Sequence, residues 1–199
     1  MSKWSRAIVV SLLYLVVVAL IYFVHVRFFR VDVVFYAAIE DAIAATAILA
    51  LLLFAHRAFS MYNAFEKVQL IAICQLLGYA LAISVPTVLD RSLSFYILEK
   101  LEQRGGGIRY SAFESVFTRE YVKEHHLVDV RLTEQLKSGT IAIHDGCVTL
   151  TQRGRDLAKF SRWFRMNLLP RQRLLMGEYS DALTDPFLHS AVETDYTCH

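Results

Sequence analysis

The chain has 199 residues, of which 55% are hydrophobic and 20% are charged, and its formal net charge is +2. A soluble domain is about 45–50% apolar and about 25% charged. The apolar excess lies almost entirely before residue 90, in three long runs. This composition excludes an ordinary soluble globule and an intrinsically disordered chain. Cysteine occurs at three widely separated positions, which excludes a disulfide scaffold.

The three apolar runs cover residues 7–26, 33–55 and 68–89. Each is long enough to cross a bilayer, because a transmembrane helix needs about 20 apolar residues. The first run is too long for a signal-peptide core and has no obvious small-residue cleavage site, so we interpret it as a retained anchor. Residues 1–90 are therefore predicted to form a three-helix transmembrane bundle.

Two acidic residues, Glu40 and Asp41, interrupt the second run about two turns after its start. Ionisable groups inside a membrane are unfavourable and face protein or water. We therefore predict an intramembrane polar site at these residues. Three interpretations stay open: a contact that holds helices or a partner subunit together, a position near the headgroups in a tilted span, or a site for a proton, ion or ligand.

The charges that flank the apolar runs indicate how the chain is oriented in the membrane. Near the membrane, four Lys and Arg residues lie on the side of the amino terminus and five on the opposite side. The positive-inside rule then favours a cytoplasmic carboxy terminus. We predict a multi-pass protein of the cytoplasmic (inner) membrane with a cytoplasmic carboxy-terminal domain.

Residues 91–176 have the pattern of a small α+β domain. Apolar spacing predicts helices over 92–103, from Ser111 onward and over 128–137. Asp145-Gly146 between two short β-like runs predicts a hairpin, since a type I′ turn needs positive φ at both positions. A helix over 152–169 follows and ends before Pro170. The fold class is thus mainly α, with a transmembrane bundle followed by this domain.

The order of three helices, a hairpin and a last helix resembles the winged helix-turn-helix over residues 91–169. The step VTLTQRGR from Val148 to Arg155, between hairpin and last helix, is similar to that of many winged-helix regulators. The resemblance implies that the third helix would read the DNA major groove, with Arg131 and Gln135 as possible base contacts. Acids balance bases on that helix, which disfavours nucleic acid as a partner. A protein-interaction module is the preferred interpretation.

The helix over 152–169 is basic and amphipathic, with Leu157, Phe160, Phe164 and Leu168 at helical spacing. Such a helix often lies in the membrane interface. Its apolar stripe could instead pack on its own domain. The predicted contacts with the membrane surface or a phosphate are Arg155, Lys159, Arg162, Trp163, Arg165, Arg171 and Arg173.

The remaining sequence carries little chemistry. Residues 177–199 hold five acids and no Lys or Arg, and we predict a largely disordered tail. The chain has no nucleotide-binding loop and no hydrolase or metalloprotease motif. Its His and Cys residues lack zinc-site spacing. We therefore expect no catalytic residues, metal or cofactor.

These patterns favour a non-catalytic membrane protein that anchors, assembles or regulates a membrane complex. Its expected partners are membrane lipids and either another membrane protein or further copies of itself. One alternative is a membrane-tethered DNA-binding transcription regulator. Another is a subunit of a membrane transporter or enzyme that uses Glu40 and Asp41.

Overall fold

The structure, a computed structural model, describes residues 2–188. The chain is mainly helical, with two small antiparallel sheets. Three helical stretches are long and apolar enough to cross a membrane: Lys3–Phe28, Val34–Ala55 and Ala64–Arg91. Each of these stretches extends the corresponding predicted apolar run or matches its bounds to within one residue. The structure therefore agrees with the prediction of three helices of membrane-spanning length.

The first two spans are the single helices α1 (Lys3–Phe28) and α2 (Val34–Ala55). The third consists of α3 (Ala64–Ala82), a π-helical turn over Ile83–Thr87 and α4 (Val88–Arg91). Pro86 lies inside the π-helical turn. Proline has no N–H and its ring crowds the preceding turn, so regular α-helical bonding is interrupted there.

The bundle packs around the inner face of α2, where small residues such as Ala42 and Ala45 are fully buried. The Tyr14 hydroxyl of α1 donates to the Ala42 carbonyl oxygen (3.1 Å) and lies 2.8 Å from Thr46 Oγ1. A β-carbon at Gly78 of α3 would collide with that same hydroxyl. The glycine therefore allows the three helices to meet at one buried polar contact.

The chain after the third span continues as α5 (Leu93–Gln103). The helix predicted from Ser111 is instead broken into a 3₁₀ turn at Tyr110–Ala112, α6 (Phe113–Ser115) and a π-helical turn at Val116–Tyr121. The π-helical turn ends at Tyr121, whose ring lies against that of Tyr96 in α5, with ring centroids 4.6 Å apart.

An ion-pair cluster ties α5 to the same irregular segment. Lys100 is 4% exposed, and its Nζ lies 2.7 Å from Glu120 Oε2. Arg104 Nη2 lies 3.1 Å from the same oxygen. The hydrogen bond from Lys100, and secondly that from Arg104, lowers the pKa of Glu120 below its ordinary value.

The chain divides into two compact units, the first ending at Tyr121 and the second starting at Val122. The second unit contains α7 (Val122–Glu124), α8 (Leu127–Lys137) and the antiparallel strands β1 (Ile141–His144) and β2 (Cys147–Leu150). Ile141 pairs with Leu150 and His144 with Cys147. The Asp145-Gly146 turn has φ values of 50° and 77°, which confirms the predicted hairpin.

The last helix, α9 (Gln152–Leu168), is fastened to the base of this hairpin. Thr151 caps it by accepting from the Gly154 N–H (3.1 Å), and its own hydroxyl donates to the Gly139 carbonyl oxygen (2.8 Å). A β-carbon on Gly154 would collide with the Thr140 carbonyl oxygen. Glycine at this position therefore lets the helix pass directly over the strand end.

A second hairpin corrects the prediction of a disordered tail from residue 177. Strands β3 (Arg173–Leu175) and β4 (Glu178–Ser180) pair in antiparallel register. Met176 and Gly177 both have positive φ, 51° and 101°, and so form a two-residue turn. Methionine rarely adopts this conformation, so the pair Met176-Gly177 is not a typical hairpin turn. The part of the predicted tail over 189–199 lies outside the described residues.

Candidate functional site

The two intramembrane acids point to different sides of α2. Successive residues of an α-helix are about 100° apart around its axis. Asp41 lies on the inner face of the bundle and is 6% exposed. Glu40 lies on the outer face and is exposed. The single polar site predicted from their adjacency is therefore two separate features.

Asp41 is held by His25 of α1, a residue that the sequence analysis missed. Its Oδ1 lies 2.8 Å from His25 Nδ1, and the two side chains are 8% and 25% exposed. Its other oxygen, Oδ2, is buried and has no hydrogen-bond partner in the part of the chain that the structure describes. The sequence signal was the stripe Ala38, Asp41, Ala45, whose small residues mark the packed face.

Helix geometry gives the depth of Glu40. It lies 15 residues before Ala55, where α2 ends, which is about 22 Å along the axis. The hydrocarbon core is about 30 Å thick. With the end of α2 at one face of the core, the backbone of Glu40 would lie about 8 Å inside the opposite face of an upright span.

The Glu40 side chain makes no hydrogen bond or ion pair with any residue in the range 2–188. The neighbours on its face, Tyr36, Ala44 and Ala47, are also exposed. The two alanines leave room for another helix to approach closely beside the carboxylate.

A cavity of about 390 Å³ lies among the transmembrane helices. Its walls come from α1, α2 and the turn around Pro86, and they are apolar except for Tyr22 and Asp90. Neither His25 nor Asp41 is among the residues that line this cavity.

The apolar stripe of α9 is largely uncovered. Leu157, Phe160 and Leu168 are 54%, 57% and 58% exposed, and Trp163 beside them is 53% exposed. Gly154 is the one residue of the helix that is buried. The described residues therefore do not show this stripe packed on its own domain, which was one of its two interpretations.

The basic residues around α9 fall into two groups. Arg155 is structural, because its Nη1 donates to the Leu150 carbonyl oxygen at 2.9 Å. Arg162 is paired with Asp185, with Nη2 and Oδ2 3.0 Å apart. The others make no hydrogen bond or ion pair through their side chains within the described part of the chain: Lys159, Arg165, Arg171 and Arg173.

Two of these unpaired residues, Arg165 and Arg173, share a groove of about 630 Å³. Its floor is the α9 stripe, including Phe160 and Phe164, and Leu183 forms part of the opposite wall. Both arginines are half-buried. The arrangement joins an apolar surface to two guanidinium groups that the described residues leave unpaired.

The side chains predicted for DNA contact are engaged within the second unit. Arg131 Nη1 donates to Glu134 Oε2 at 2.7 Å. The Gln135 side chain is bonded to the Thr140 hydroxyl. Presenting either one to a base edge would require breaking these contacts.

No group of three His, Cys, Asp or Glu residues between Ser2 and Leu188 is arranged to hold a metal ion. Comparison of the chain with family models, characterised proteins and solved structures gave no match.

Proposed function

We propose that this chain is a non-catalytic integral membrane protein that assembles or anchors a membrane complex. In this proposal it lies in the cytoplasmic membrane with a cytoplasmic carboxy terminus, and residues 91–169 serve as a winged-helix-like interaction module. The observation that carries the proposal is the exposed Glu40 carboxylate on the outer face of α2.

An intramembrane carboxylate that its own chain leaves unpaired is strongly unfavourable against lipid. Asp41, on the inner face, is paired with His25. The outer acid needs a donor from elsewhere, and the neighbouring Ala44 and Ala47 permit close helix approach. The partner that fits is a transmembrane helix with a basic or amide side chain at the depth of Glu40.

The test is the size of the complex after extraction from native membranes with a lipid-preserving polymer. We expect the wild-type chain in a complex larger than one copy, and Glu40→Leu to release it as a single chain. Gln69→Leu is the matched control, because it also removes an exposed polar side chain from a span, α3. A wild-type chain that runs as a single copy, or a complex unaffected by Glu40→Leu, would contradict the proposal.

The same proposal places α9 against the anionic leaflet. Its exposed apolar stripe would enter the interface, and each basic residue near anionic lipid adds about 1 kcal/mol before screening. Trp163 lies beside the stripe and is half-exposed, so its fluorescence reports the contact directly.

The chain contains two tryptophans, Trp4 and Trp163. In a Trp4→Phe variant reconstituted into vesicles with 30% anionic lipid, we expect brominated lipids to quench Trp163. Trp163→Phe leaves Trp4, at the start of the first span, as a positive control in the same vesicles. Quenching of Trp4 without quenching of Trp163 would disprove the leaflet contact.

A further inference from the structure

We propose that the groove between α9 and the segment around Leu183 is a binding site for one anionic phospholipid molecule. The lipid phosphate would contact Arg165 and Arg173, and one acyl chain would lie on Phe160 and Phe164. This inference rests on the proposed leaflet contact and names the ligand of that surface.

The charge of the groove favours an anion. Arg165 and Arg173 line it, are half-buried, and have no anionic partner among residues 2–188. Asp185, which precedes the lining residue Pro186, is paired with Arg162. Guanidinium groups form strong charge-assisted hydrogen bonds with phosphate oxygens.

The walls favour a ligand with a hydrocarbon chain over a free anion. Besides the two arginines and Ser161, every lining residue is apolar: Leu157, Phe160, Phe164, Leu169, Leu183 and Pro186. Soluble phosphate would leave this surface in contact with water, whereas an acyl chain would cover it. The chain's own spans keep it at a membrane, where such a ligand is always present.

The experiment is native mass spectrometry of the full chain in a neutral detergent. Phosphatidylglycerol and phosphatidylcholine with identical acyl chains are added in equal amounts. We expect one phosphatidylglycerol to be retained per chain, with about tenfold preference over phosphatidylcholine. Arg165→Gln with Arg173→Gln should reduce the retained phosphatidylglycerol to the level of phosphatidylcholine.

The matched control is Arg153→Gln with Lys123→Gln. These two basic residues are exposed, unpaired through their side chains among the described residues, in the same unit as the groove pair and outside the groove lining. The control changes the net charge equally but should keep the bound lipid. Equal loss in both double variants would mean attraction by charge alone and would overturn the proposal.

Three further outcomes would overturn it. The first is displacement of the lipid by millimolar inorganic phosphate, because the acyl chain would then contribute nothing. The second is binding that appears only after removal of residues 189–199, because the chain's own end would then fill the groove. The third is loss of the lipid on Arg27→Gln with Arg30→Gln and not in the groove variant, which would locate it at the spans.

The leaflet contact and the lipid site fail in different ways. If α9 does not touch the membrane, Trp163 is not quenched by brominated lipids in vesicles. If only the lipid site is wrong, Trp163 is still quenched, and the groove variant and its control retain equal amounts of phosphatidylglycerol.

Discussion

The inner face of the transmembrane bundle and the last helix differ in how their polar groups are paired. Inside the bundle, the Tyr14 hydroxyl bonds to the Ala42 carbonyl oxygen, and Asp41 bonds to His25. On α9, Lys159 and Arg165 are unpaired among the described residues, beside an exposed apolar stripe. Polar groups in the hydrocarbon core need hydrogen-bond partners within the protein, whereas those of a surface helix can bind an external partner.

The same contrast exists within one turn of α2. Asp41 is buried and paired, and Glu40, its neighbour in sequence, is exposed and unpaired among residues 2–188. Stability should therefore depend on the inner acid, and association on the outer one. The following predictions test this separation between internal and external contacts.

The largest effect is expected from His25→Leu, which leaves the Asp41 carboxylate buried without its partner. Breaking a buried pair on one side costs about 3–5 kcal/mol, and the partial exposure of His25 favours the lower end, about 3 kcal/mol. Unfolding of the purified chain by denaturing detergent in mixed micelles measures it. His25→Leu with Asp41→Leu should restore most of the stability, and Glu40→Leu should cause no loss.

Gly154→Ala should destabilise the second unit by about 2–3 kcal/mol, because the added methyl meets the Thr140 backbone. Protection of the β1 and β2 amides against hydrogen exchange is the measurement. Gly107→Ala is the control, since nothing lies within 4 Å of a β-carbon there. Equal protection in both variants would show that α9 is not fixed to the hairpin.

Gly78→Ala should destabilise the bundle by about 1–2 kcal/mol, because its methyl displaces the Tyr14 hydroxyl. The clashing atom is the end of a side chain, so the effect is smaller than at Gly154. Unfolding in mixed micelles again measures it. Tyr14→Phe should recover part of the loss in the double variant, and a fully additive double variant would contradict the assigned contact.

The smallest effect concerns pH. Because its partners lower the Glu120 pKa in the folded chain, its contribution to stability is fully present above the unfolded value of 4.5. It is lost as the pH falls from there through the lowered folded pKa. Glu120→Gln should flatten this part of the stability profile below pH 4.5. Glu102→Gln, an exposed acid of α5, should leave the profile unchanged.

The elements that the sequence predicted correctly depend on local signals. Runs of about 20 apolar residues are sufficient to locate the spans. Asp145-Gly146 is sufficient for the first hairpin, since both residues tolerate positive φ. The hairpin at Met176-Gly177 was not predicted, because only one of its turn residues is typical of such turns.

The candidate site was only half predictable. Glu40 and Asp41 are visible as acids within an apolar run, and their different faces follow from the alanines around Asp41. The pairing with His25 is not visible, because it joins residues 16 positions apart on different helices. The groove was missed for the same reason, since Leu183 and Arg165 come together only through the turn at Met176-Gly177.

The close contact of Gly154 with Thr140 joins the hairpin and α9 rigidly. The cap at Thr151 and the bond from Arg155 to the Leu150 carbonyl oxygen fasten the same junction. The 17-residue helix is about 26 Å long and therefore acts as a lever arm with its pivot at the hairpin. We therefore expect a displacement at the Leu168 end to act on β1 and β2 through this junction.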